Sequence, residues 1–354
     1  GSANITTAVG DVATMESLGS GNWRCVGYAK ADGTSVVGGS GALTYITEAI
    51  SVASPNNTVN AVSLAVTGGS TNADFVLSTK GTGALAVAVA DSTATGGNKR
   101  GTSAVDLQWT RGAAAQVASG ANSVISGGSS NTASGQYSFA GGLSSQASNT
   151  YSFAYGNVNV ASGTGAWAGA GASNTASGNY SFAQGQTCTA SGTNSIATGN
   201  NASTRSLIGM RAHSSGQTVG VGTNQMLDMH LRIVTSSTSA TSLTSDGSAK
   251  SSTNHYVLNN RCTAAVNGLV TARNQTGDVA TWSFVGGVTR EATAASTVVT
   301  AAFTVTSLGS VGTGSGWTLA VIADTTNGSL DVQFTGASGI HVSCHLNAAE
   351  MTRA

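Results

Sequence analysis

Cutting a glycan takes two carboxylates held at a set separation across the scissile bond, so the acidic residues are placed first. Between Gly112 and Thr204 there is no Asp, Glu, Lys, Arg or His at all. Downstream, Asp228, Asp246, Asp278, Glu291, Asp324, Asp331 and Glu350 are scattered. Asp246 precedes Gly247, and Asp324 opens Asp-Thr-Thr-Asn-Gly328; both read as turn residues rather than catalysts. No G-x-S-x-G elbow and no P-loop occurs, and Gly220-x-Gly222 is a lone glycine pair in a polar loop. The expectation is a protein that is not an enzyme. His341 and His345 alternate onto one strand face with Ser343, and three copies of one of them on a symmetry axis could hold a metal. Solvent-facing histidines are the plainer reading, so neither a metal nor another cofactor is expected. Cys25, Cys188, Cys262 and Cys344 match no C-x-x-C pattern and read as buried thiols, with a disulfide left open. Trp282, on a row with Phe284, and Trp317, on a row with Leu319 and Val321, read as core rather than as sugar platforms.

Composition narrows the partners. Of 354 residues only 8% are charged, with 14 basic and 14 acidic side chains, while 40% are hydrophobic. Ordinary domains carry about 25% charge, so this chain must keep itself hydrated through Ser, Thr and Asn. Zero net charge removes the basic footprint that nucleic-acid binding needs. No apolar run of about 18 residues exists, so no helical membrane insertion is expected. Glycine occurs 48 times and proline once, which excludes collagen. No secretion signal is read at Gly1-Ser2-Ala3, and the missing initiator Met suggests a fragment, a processed chain or a cloning scar.

The elements that carry these residues are announced by a repeat. Ala-Ser returns at 118, 133, 147, 161, 176 and 190, at intervals of 15, 14, 14, 15 and 14 residues. Each unit holds an aligned segment such as Tyr137-Ser-Phe-Ala-Gly-Gly142, Tyr151-Ser-Phe-Ala-Tyr-Gly156 or Tyr180-Ser-Phe-Ala-Gln-Gly185. The unit is too short for a helix pair and reads as two short β pieces closed by Gly or Asn. One apolar residue recurs per unit: Val124, Phe139, Phe153, Trp167, Phe182 and Ile196. In coils stacked about 4.8 Å apart these six would align into an internal ladder. A 14-residue turn is too thin to bury a core alone, and three coils about one axis would complete it.

The units resemble the left-handed parallel β-roll repeats of trimeric autotransporter adhesin heads, close to N-S-x-A-x-G with an Ala ahead, which also occur in phage tail fibres. The resemblance covers Val117 to about Ser203, with the first and fourth units departing somewhat from the pattern. Upstream, Asn22-Trp-Arg-Cys-Val-Gly-Tyr-Ala-Lys-Ala-Asp-Gly33 resembles hairpin modules of phage tail proteins. Asp74-Phe-Val-Leu-Ser-Thr-Lys-Gly-Thr-Gly-Ala-Leu85 and Gly96-Gly-Asn-Lys-Arg-Gly101 resemble a segment that precedes such repeats. After Leu207 the period stops and ordinary alternation begins: Met229, Leu231 and Ile233 against His230 and Arg232; Val299, Ala301, Phe303 and Val305; Leu330, Val332 and Phe334 against Asp331 and Gln333. Asp246-Gly247, Gly286-Gly287 and Asn327-Gly328 read as turns between these strands. Trp282-x-Phe284-x-Gly286 and Trp317 through Val332 resemble a terminal domain of phage fibres.

The expected fold is all-β: an N-terminal β-hairpin module (1–40), a β-rich connecting module (41–116), a left-handed parallel β-roll (117–206) and an antiparallel, jelly-roll-like sandwich (207–354). The resemblance implies a homotrimeric tail fibre in the virion. It would be held by tail or baseplate proteins and attach to a host-surface glycan or protein. An adhesin head is the alternative, and a glycan-cleaving tailspike a weaker one. Receptor contact is expected in the C-terminal domain with the repeat as spacer, because loops on a rigid scaffold carry binding residues. The richest segment is Asn254 to Arg261, where Tyr256 could stack on a sugar while Asn259, Asn260 and Arg261 donate hydrogen bonds. Tyr256 and Leu258 opening a core strand is the competing reading.

Overall fold

The computed structural model describes residues 9–29, 46–51, 61–66, 77–216 and 220–353. It is all-β, 49% strand and 3% helical, with a parallel β-solenoid of about 7 turns and antiparallel sheets. The chain divides into two compact units, Gly1–Ser78 and Thr79–Ala354. The first holds two antiparallel hairpins, Val12–Gly19 with Asn22–Ala29 and Ile46–Ser51 with Ala61–Val66. The expected Asp32-Gly33 turn lies outside the described residues, as do Asp74, Phe75 and Val76. Cys25 sits exposed on the first hairpin, against the expectation of burial, whereas Cys188, Cys262 and Cys344 are buried thiols.

In the second unit parallel stacking begins earlier than the repeat pattern, at Leu85–Ala86 on Val105–Asp106 on Val124. From there Val124, Phe139, Phe153, Trp167, Phe182 and Ile196 pair in register, turn upon turn. A second, shorter parallel ladder runs through Ala133, Ala147, Ala161, Ala176 and Ala190. The coil interior is built from the small side chains between them. Ala140, Ala154, Ala168, Ala183 and Ala197 are fully buried, and so are the five alanines of the shorter ladder. Buried Ser123, Ser138 and Ser152 donate to the carbonyls of Gly120, Gly135 and Asn149 at 2.8, 2.6 and 2.6 Å, which satisfies their hydroxyls.

A buried Asn column ties turn to turn. Asn159 Oδ1 accepts from the Asn174 N–H at 2.9 Å, and Asn174 Oδ1 accepts from the Cys188 N–H at 3.0 Å. Glycines close the corner beside it: Gly142 has φ +91°, and a Cβ there would sit 2.1 Å from the Gly156 carbonyl. Only a residue without a side chain tolerates both conditions. The six ladder residues are therefore not internal to their own coil. Ala and Ser, with Ile125 at the first repeat, fill that interior, and the six ladder side chains point outward.

The same sheet runs on without a break past the repeat. Arg211–Ser215 pairs parallel with Ile196–Asn200 and antiparallel with Asn224–Val234. The sheet then continues through His341–Thr352, Cys262–Arg273 and Val279–Arg290 to Thr304–Val311. A four-stranded sheet of Thr241–Ser242, Tyr256–Val257, Thr318–Asp324 and Ser329–Thr335 covers one of its faces. Trp282 of the long sheet meets Phe334 of the short one edge-on at 5.9 Å, and Trp317 meets Phe334 at 5.9 Å. Both indoles are buried, as their rows implied.

Two expectations for this region need correction. Gly286-Gly287 is not a turn but lies inside the strand Val279–Arg290. Phe303 and Thr300 pack on these glycines so closely that an added Cβ would come within 2.7 and 2.5 Å of them. The run from Val299 to Val305 is likewise interrupted, since Val298–Val299 and Thr304–Val311 are separate strands. Asn327-Gly328 and Asp246-Gly247 do turn the chain, with Gly328 and Gly247 at φ +71° and +76°.

Candidate functional site

Three regions carry chemistry that could serve a function: the outward ladder, the junction between coil and C-terminal region, and the open face of the long sheet. On the coil, Phe139 stacks on Phe153 at 4.9 Å with planes 7° apart, Phe153 meets Trp167 at 4.8 Å, and Trp167 meets Phe182 at 5.6 Å. Stacking covers only part of each ring. Trp167 is 49% exposed, and Val124, Phe139, Phe153, Phe182 and Ile196 are partly buried. Aromatic contacts of this kind add about 0.5–1.5 kcal/mol each, but the outer flank of the column faces water.

The coil is fastened at both ends by buried ions that sequence reading did not single out. At its start Asp106 accepts from Arg100 Nε at 2.8 Å and from Arg111 Nη2 at 3.3 Å, all three side chains being at most 3% exposed. At its end Arg205 makes a bidentate pair with Glu350, at 2.6 and 2.9 Å. Gln225 donates to the same carboxylate at 3.1 Å. The available signal was that Arg205 is the first charge after the charge-free stretch.

The Asn254–Arg261 segment is divided by burial. Tyr256 is fully buried, and its hydroxyl donates to Glu350 Oε1 at 2.7 Å, so its ring is closed to a sugar and the core reading of this residue holds. Burial, with the Glu350 charge beside it, pushes this phenol well above its ordinary value. Leu258 is buried as well. Asn259 is half-buried and donates to the Gly222 carbonyl at 3.2 Å. Asn260 and Arg261 are exposed, Arg261 in the left-handed region at φ +58°. The structure thus keeps two of the four side chains together at the surface.

The carboxylates are occupied structurally. Asp246 accepts from the Ser248 N–H at 3.0 Å, and Asp324 accepts from the Thr326 N–H at 3.0 Å, as turn residues do. Lys250 bridges Asp324 and Asp331 at 3.1 and 2.7 Å, which accounts for the unexpected burial of Asp331. His255, Ser329 and Asp324 also meet, but both oxygens approach the same ring nitrogen, Nε2, while Nδ1 has no partner. A nucleophilic triad needs the carboxylate on the opposite nitrogen, and His255 and Ser329 are at most 1% exposed. This cluster holds the short sheet together.

On the open face, His341 and His345 are both exposed. His345 Nε2 pairs with Asp228, and His230 Nε2 meets the Ser343 hydroxyl at 2.8 Å. Among the described residues no three His, Cys, Asp or Glu side chains converge as a metal site. A groove of about 880 Å³ opens beside them, lined by His230, Arg232, Arg273, His341 and Ser343 among others. No helix among the described residues is long and apolar enough to cross a membrane. No family model matches the chain, and no curated protein matches its sequence.

Proposed function

We propose that this chain is the shaft and attachment tip of a homotrimeric phage tail fibre, a non-enzymatic virion component held by tail or baseplate proteins and contacting the host surface through its C-terminal region. The observation that carries this reading is the outward column from Val124 to Ile196. A single coil leaves one flank of six stacked apolar side chains in water, and rotational symmetry buries that flank without any new element. The rest of the coil surface carries no charge, exposing Ser, Asn and Gly together with tyrosines such as Tyr137, Tyr151 and Tyr180. The non-repeating C-terminal region, unlike the repeat, carries charged groups that recognition could use, and it holds all five histidines. Three tips on one axis also gain avidity without further contacts.

Light scattering on the purified chain tests the assembly, with an expected mass three times the 34.7 kDa of one chain. A monomer mass at micromolar concentration sinks it. Labelling of bacterial cells by the fluorescent protein, without release of reducing sugar from their envelopes, is expected for the attachment role. Sugar release would make the chain a depolymerase instead.

A further inference from the structure

We propose that the groove on the open sheet face binds an acidic polysaccharide, one carrying carboxylate or phosphate groups; this rests on the attachment reading and names its ligand class. The chain has five histidines, and His213, His230, His341 and His345 all lie on this one face, with only His255 inside. In so charge-poor a protein that concentration calls for a cause. Pairing registers fix the arrangement. Arg232 lies beside Ser343 and Thr271, and in the next row outward Val234, His341, Arg273 and Val279 stand side by side.

Two guanidinium groups and two imidazoles thus border a groove of about 880 Å³ whose floor carries the hydroxyls of Ser343, Thr271 and Thr281. Arg232 gives one hydrogen bond to the Asp246 carbonyl at 3.2 Å, and no hydrogen bond or ion pair among the described residues engages the Arg273 guanidinium. Asp246 is the one carboxylate in the lining. Its Oδ1 is held by the Ser248 N–H, the Ser248 hydroxyl and the Asn254 amide, so it stays turned to its own loop; it offsets one of the two arginine charges and leaves the lining positive by one. Arginine forks match carboxylate and phosphate bidentately, hydroxyls and imidazoles match sugar hydroxyls, and Val234 and Val279 offer flanks to the sugar's C–H face.

The groove also lies off the line of the ladder. Continued across the sheet, the ladder row passes through Arg211, Asp228, Asn347, Asn267 and Val285. Arg232 and Val234 stand four and six residues along the strand from Asp228, roughly 14–20 Å at the usual rise per residue. The proposal requires that copies packed along the ladder row leave this end of the face open.

The test titrates the full chain with three polymers: polygalacturonate, poly(glycerol phosphate) and dextran. At least one polyanion is expected to bind, with affinity falling as salt rises, and dextran is not. Whichever polyanion binds more tightly assigns the charge to carboxylate or to phosphate. Arg273→Gln should weaken binding at least tenfold with the melting temperature and oligomeric mass unchanged. Arg353→Gln, which touches an exposed pair elsewhere, should leave it within twofold. Equal binding of dextran, undiminished binding by Arg273→Gln, or a change of oligomeric mass in that variant overturns the proposal, the last because a second copy then occupies the groove. Cell labelling separates the two readings. If Arg273→Gln labels bacteria as well as the wild type does, the groove falls and attachment stands. Polyanion binding without labelling of any strain removes attachment and leaves the groove.

Discussion

The coil and the C-terminal region share one sheet yet distribute their side chains in opposite ways. In the coil the interior is mostly Ala, Ser and Asn, with Ile125 and Cys188, and the Phe and Trp rings are outside. In the C-terminal region Trp282, Phe284, Trp317, Phe334 and Tyr256 are inside, and the outer face carries His and Arg among aliphatic residues such as Met226, Leu269 and Val285. Thickness decides the difference. A second sheet about 10 Å away leaves room for aromatic rings between the layers. A 14-residue turn folds back on itself with space mostly for methyl and hydroxymethyl groups, Ile125 at the first repeat being the large exception. The sandwich can therefore complete its core within one chain, while the coil's largest apolar groups must find theirs elsewhere.

Charging the column is the most forceful way to break this contrast. Phe153→Asp introduces a carboxylate between Phe139 and Trp167. If the column is a shared core, three charges meet without partners, and the assembly should dissociate. The melting temperature should drop by about 10 °C or more, from on the order of 4–5 kcal/mol at roughly 2–4 °C per kcal/mol. If the column faces solvent in the native particle, the variant should keep both its mass and its melting temperature.

The junction sharpens the comparison, because there the coil uses interactions like those inside the sandwich. Glu350→Gln removes the charge that Arg205, Gln225 and Tyr256 all address, leaving a guanidinium with a side chain only 12% exposed and no counter-ion. Breaking one partner of a buried pair costs about 3–5 kcal/mol. The exposed Arg353–Glu291 pair, with side chains 71% and 53% exposed, is the control, and Arg353→Gln should cost less than about 1 kcal/mol. Chemical denaturation of the two variants checks both; equal losses would mean the junction is not a fixed joint.

How much of this was legible in sequence follows the same division. The stacking and its register came through because each turn restates the pattern Ala-Ser … Ser-Phe-Ala, and a strict period admits one alignment. Which way Phe153 points did not, since alternation separates two faces without saying which is inside. The turns before Val117 stack as the repeats do, but Leu85 and Val105 lie in segments without the motif. In the C-terminal region, alternation placed Met229, Leu231 and Leu330 inside, and they are buried. It failed at Asp331, where Lys250 reaches over from a loop 81 residues away and draws the carboxylate in. Nor did it reveal what the buried Tyr256 hydroxyl bonds to, since its partner Glu350 is 94 residues distant. Polar contacts of that span leave no local trace. The same holds for the groove, which exists only once four strands from separate parts of the chain lie side by side.

The smallest expected effect concerns pH and belongs to the C-terminal region alone, since the coil from Gly112 to Thr204 has no acidic, basic or histidine side chain. His255 is held below the ordinary histidine value by burial, with Asp324 and Asp331 opposing that shift and Lys250 adding to it. Asp324 is itself kept well below the usual carboxylate range: burial works to raise it, but hydrogen bonds from Asn327 and Lys250 outweigh that, and it stays ionised near neutrality. An unfolded chain takes up the His255 proton at about pH 6.5, whereas the folded chain does so only at lower pH. In that interval the unfolded state binds more protons. Stability is therefore fully present above about pH 6.5 and declines as pH falls from there through the folded value. Melting temperatures read between pH 7.5 and pH 5 should show this decline. His255→Gln, which can still hydrogen-bond Ser329 and carries no titrating ring, should flatten it. If the slope survives in that variant, the acid sensitivity does not come from the buried ring, which is then only a packing element.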